Sequence, residues 1–162
     1  MLAKMRLNFR SAFVALTAFG AVSVGLLPHT SDAQPNRVYQ GRIMYPDFNG
    51  RDRQYAMFRT RIVNEMRTGP NFAGHYAMVE IGCGTSCRFA LVADVATGKV
   101  SRFPYGGEEY YMLWLTYNVK SHYIEAQWQQ GEKCVKDTLK WNGVRFVSTN
   151  KRVVGDASTC DL

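Results

Sequence analysis

At Gly69 and Pro70 the chain changes hydrophobic period, and that change constrains the fold more than any other feature. Before it, Tyr55, Phe58, Ile62, Val63 and Met66 recur at three-to-four spacing with arginines between them, which predicts one amphipathic helix. Asn49 reads as its N-cap with Asp52 as a first-turn acid; Gly69 ends it and Pro70 bars its resumption. Beyond that point the period is two. His75, Ala77, Val79 and Ile81 fall on one side of a strand, Tyr76, Met78 and Glu80 on the other. The stretch 68–87, T-G-P-N-F-A-G-H-Y-A-M-V-E-I-G-C-G-T-S-C, thus joins turn residues, an alternating strand, a histidine and a close cysteine pair.

The strand pattern continues to the end of the chain. Residues 89–94 and 100–103 flank an Ala96-Thr97-Gly98-Lys99 turn, and an aromatic strand follows over 111–117. From 122 to 129 the alternation is clean, with Ile124, Ala126 and Trp128 against Tyr123, Glu125, Gln127 and Gln129, as in an antiparallel sheet with one wet face. A turn at 130–132 leads to a strand over 133–141. Asn142-Gly143 then signals a two-residue type I′ hairpin that sets Trp141 opposite Val144, Leu139 opposite Phe146 and Cys134 opposite Lys151. Upstream, residues 38–44 have the composition of a further short strand. The expected fold is mainly β (α+β): a single antiparallel meander of about seven or eight short strands, with one amphipathic helix near the mature N-terminus against one face.

The front of the chain predicts export. Lys4, Arg6 and Arg10 precede an apolar run over 12–27, which leads to Ser31-Asp32-Ala33, the order of a secretory signal peptide over 1–33. Residues 34–162 then form one β-rich domain without a transmembrane segment, of a size that can hold its own core. It carries 17 basic and 12 acidic residues, a net charge of +5 that favours encounter with anionic surfaces. The charges are scattered and no run of five or more Lys and Arg argues for nucleic acid. Four cysteines in an oxidising compartment imply two disulfides with three possible pairings. Cys83 with Cys87 and Cys134 with Cys160 is the favoured one, because the Gly-Thr-Ser loop can bend the first pair back on itself.

Chemistry has few candidates. A thiolate at Cys83 or Cys87 activated by His75, with the Gly82 and Gly84 amides as oxyanion donors, is the enzymatic reading: a small thiol-dependent hydrolase or redox enzyme. Three residues, not two, separate the cysteines, and alternation sets His75 and Glu80 on opposite faces, so neither a redox motif nor a metal site is expected. No cofactor is implied. Of the clustered aromatics, Tyr110, Tyr111, Trp114, Tyr117 and Tyr123 are the candidates for a binding surface wherever they fall on the wet face.

N-F-A-G-H-Y at 71–76, G-C-G-T-S-C at 82–87 and the Thr97-Gly98-Lys99-Val100 turn, with a looser echo in W-N-G-V-R-F at 141–146, resemble a group of small exported bacterial proteins. The resemblance implies secretion and a Cys83–Cys87 disulfide; it implies no activity. The reading that follows is a periplasmic or secreted, disulfide-stabilised, non-catalytic domain that binds an anionic envelope component or another protein.

Overall fold

The structure is a computed structural model that describes residues 37–160, so the leader at 1–33 lies outside the described residues. It is mainly β, with seven strands in two antiparallel sheets. β1 (Tyr76–Gly84), β2 (Cys87–Asp94) and β3 (Val100–Gly106) form the first sheet. β4 (Tyr111–Thr116), β5 (Tyr123–Gln130), β6 (Lys133–Trp141) and β7 (Phe146–Asp156) form the second. Every strand pairs with its sequence neighbour, so the meander holds; it divides between β3 and β4 into two sheets rather than one.

The division explains why β1 and β2 are apolar on both faces. Ala77, Val79, Ile81, Phe89, Leu91 and Ala93 pack beneath the helix with Phe48, Ile62 and Met66. Tyr76, Met78, Ala90, Val92 and Phe103 face the second sheet, where Leu113, Leu115, Ile124, Ala126, Trp128, Val135 and Leu139 meet them. The order is therefore helix, first sheet, second sheet; the outer face of the second sheet is wet, and so is the β3 edge of the first at Arg102 and Pro104. Asp137 points into this inner core fully buried, held by the Tyr105 hydroxyl at 2.6 Å. Burial and then Asp137 push the Tyr105 hydroxyl well above its usual range.

The helix begins as a 3-10 segment, Arg53–Phe58, and continues as α1, Arg59–Arg67, burying Ile62 and Met66 as the spacing predicts. Gly69 closes it with φ +90. Asn49 is not its cap: it sits in a turn in which Asp47 Oδ1 accepts from the Asn49 and Gly50 N–H groups. Asp52 takes the N-cap position rather than the first turn, and its side chain makes no capping bond. Its carboxylate is 1 % exposed and accepts from the backbone N–H groups of Asp47 and Val100 and from Arg51, tying the helix entry to β3.

Two further expectations need correction. Residues 38–44 form no strand; the Tyr39 and Met44 N–H groups bond to Gly74 and Val95, but half or fully exposed residues leave this segment no buried apolar face to fix a ladder. The β6–β7 loop has four residues, not two. Asn142 Oδ1 accepts from the Val144 and Arg145 N–H groups, a side-chain turn that displaces the type I′ geometry. Trp141 therefore faces Phe146 and Leu139 faces Ser148, and two bulges bring Cys134 opposite Gly155.

Candidate functional site

The β1–β2 hairpin ends in the G-C-G-T-S-C elbow. Its register slips between Gly82 and Gly84, and Gly84 pairs with Cys87 across a turn in which Ser86 has φ +57. The Cys83–Cys87 disulfide closes this turn, and Cys134–Cys160 ties the 3-10 turn Ala157–Cys160 to β6, so both pairings are the expected ones. Among the described residues no cysteine is free. The Ser86 carbonyl accepts from the N–H of Met112, which also has a positive φ of +57, at the bulge that starts β4. Two non-glycine residues in the left-handed region thus face each other across one contact, a concentration of backbone strain.

An open cavity of about 640 Å³ lies beside this contact, between the elbow, β4 and Cys160. Arg88 forms an ion pair with Glu80 at 2.9 Å, and its guanidinium lies over the Trp114 ring, 5.4 Å from the centroid. Glu80 accepts a second bond, from the Tyr117 hydroxyl at 3.0 Å. Burial, then the Glu80 charge, pushes that hydroxyl far above its ordinary value, so it remains a donor and fixes Glu80. Glu80 in turn orients Arg88. The indole of Trp114 is 48 % exposed, and Arg61 reaches the same cavity from the helix. A pre-set guanidinium on an exposed indole can stack and hydrogen-bond, and the bridged Cys83 and Cys87 present no thiolate.

His75 lies at the other end of the hairpin, where Tyr76 pairs with Asp94. At about 3.3 Å per residue it stands roughly 25 Å along β1 from Cys83, beyond any proton transfer. The structure therefore does not bring together the residues of the thiol-enzyme reading. His75 Nδ1 instead bonds Asp94 Oδ1 at 3.1 Å, and its ring lies 4.2 Å from that of Tyr76. Burial raises the Asp94 carboxyl, but bonds from His75 and the Ala96 N–H outweigh it and hold the group below its ordinary value. Among the described residues no group of three or more His, Cys, Asp or Glu is placed to hold a metal ion.

The five aromatic candidates separate. Tyr111, Trp114 and Tyr123 are exposed, whereas Tyr110 packs on Tyr105 and Trp128, and Tyr117 packs edge-on to Phe72. The bulge at Met112 shifts the parity of β4, which the sequence pattern does not reveal. Trp114 pairs with Gln127, four residues along β5 from Tyr123, so these two rings are roughly 14 Å apart and form no single platform. Sequence reasoning missed a second cleft, which Tyr123 helps to line with His75, His122, Lys120, Lys140 and Trp141. It is assembled when the loop at 118–121 crosses the tight turn at Ala73 and Gly74, whose N–H groups bond to Ser121 and Val119. The bonded residues lie 45 and 48 positions apart in sequence, so local pattern gives no signal of that crossing.

Compared with protein-family models, curated proteins and solved structures, the chain matches none.

Proposed function

We propose that the chain is an exported, disulfide-stabilised, non-catalytic binding domain of the bacterial cell envelope, acting through the Arg88–Trp114 cavity beside the elbow. The observation that carries this reading is the guanidinium of Arg88 lying over a half-exposed indole in a cavity framed by Cys87 and Cys160. The Cys83–Cys87 and Cys134–Cys160 bridges tie two walls of the cavity covalently, which lowers the ordering cost of binding. Arg61 adds a cation and the mature surface is basic, so the ligand is an anionic envelope component with a planar or sugar body to stack on Trp114. Both disulfides and the leader pattern support export to the periplasm or beyond. The resemblance of the elbow to small exported proteins points the same way.

The test is a Trp-fluorescence titration of the processed protein with lipopolysaccharide micelles. Trp114→Ala is expected to weaken binding about tenfold or more, and Arg88→Ala by a similar factor. Unchanged affinity in both variants would refute the assignment of the cavity. Recovery of the chain in the cytosol with its leader intact would refute the compartment.

A further inference from the structure

The open end of the hairpin carries a cleft that the binding reading does not use. It too has a volume of about 640 Å³ and lies between the start of β1, the residues entering β5 and the β6–β7 turn. That size suits a small organic ligand. Tyr76, Tyr123 and Trp141 supply its apolar walls.

The polar groups in this cleft are cationic or donating, apart from hydroxyls and whichever imidazole nitrogen is unprotonated. Lys120 and Lys140 make no ion pair among the described residues, and Lys140 Nζ stands 5.8 Å from the Tyr123 ring centroid. Asn142 has its side-chain oxygen occupied by two backbone N–H groups, which leaves its NH₂ to donate. Trp141 is 7 % exposed, its indole N–H buried beside the Tyr76 hydroxyl. No carboxylate lines the cleft; the Asp94 carboxylate nearest it stands behind His75 and is engaged by His75 Nδ1 and the Ala96 N–H. With Nδ1 so held, Nε2 is the nitrogen of His75 left to face a ligand. The ammonium groups of Lys120 and Lys140 are exposed and outside any ion pair among the described residues, so an anionic, acceptor-rich ligand can engage both.

We propose that this cleft binds a small phosphate monoester, its phosphoryl group between His75, His122 and the two lysines and its body against Tyr123 and Trp141. A phosphoryl dianion presents three acceptor oxygens and spreads two charges over them, which suits donors arriving from three separate elements. A single carboxylate would leave part of that set unpaired. The site stands independently of the Arg88–Trp114 cavity.

The test uses the purified protein and phenyl phosphate, with phenyl sulfate and the neutral phenyl β-glucoside as controls. The imidazole Cε1–H signals of His75 and His122, assigned through His75→Gln and His122→Gln, report the site directly. Both are expected to move along one saturating curve with phenyl phosphate, with about tenfold weaker affinity in Lys120→Ala and in Lys140→Ala. Trp114→Ala should leave that curve unchanged, which separates this site from the elbow cavity. No saturable shift by about 10 mM phenyl phosphate, or equal affinity for the glucoside, would overturn the anion site. Equal affinity for phenyl sulfate would overturn the phosphoryl assignment, and loss of binding in Trp114→Ala would place the ligand at the wrong end.

Discussion

The β1–β2 hairpin is held by covalent bonds at one end and by ionisable groups at the other. At the elbow, Cys83–Cys87 closes the turn and Cys134–Cys160 brings the last described residue against it, so that both bridges line one cavity. At the open end Asp52 bridges Asp47, Arg51 and Val100, and Asp94 holds His75 and Ala96. The first set responds to reductant and ignores mild acid, while the second does the reverse. A binding surface built at the elbow is thus fixed by covalent bridges, and one built at the open end keeps groups that titrate and exchange partners.

The largest expected effect is at the elbow. Cys134→Ser opens a ring of 27 residues, a loss of about 3.5 kcal/mol on the chain-entropy estimate, whereas Cys83→Ser opens one of five residues at about 2 kcal/mol. Urea denaturation of the two variants gives the order directly; the reverse order would show that ring size is not what the bridges contribute. At the open end Asp52→Ala strands the buried Val100 N–H and frees the part-buried Asp47 N–H, and should cost about 2–3 kcal/mol. A cost as small as that of an exposed ion pair, below about 1 kcal/mol, would mean that the open end owes its order to packing instead.

These differences track what the sequence could reveal. Period, turn residues and strand composition together placed α1 and the seven strands, with one strand too many at 38–44, and Ile124, Ala126 and Trp128 are buried where alternation set them. Both disulfide partners were legible from loop length and compartment. The hairpin register was not, since Asn142 used its side chain rather than its backbone conformation to turn the chain. Nor was the split of the meander. β1 and β2 carry apolar residues on both faces from the outset, but only the three-dimensional arrangement says that a helix covers one and a second sheet the other. The two clefts lie at opposite ends of one hairpin, where loops distant in sequence converge, and local pattern carries no record of that convergence.

The smallest effect is the most diagnostic of the open end. The Asp94 carboxyl has a folded pKa below its ordinary 3.8, because hydrogen bonds from His75 and Ala96 outweigh its burial. A depressed carboxylate pKa stabilises the fold above the unfolded-state value and loses that contribution as pH falls through the lower, folded value. Asp94→Asn keeps the side-chain oxygen for both donors but removes the charge, so at pH 7 it should be less stable than the parent by about 1 kcal/mol. That gap should close below about pH 4, as the parent carboxylate takes up its proton. Thermal unfolding of both proteins between pH 7 and pH 2 measures the gap, and adding reductant should lower both curves without altering it. A gap that persists at pH 2 would mean that Asp94 acts through the shape of its turn rather than its charge. The open end would then be as insensitive to acid as the elbow.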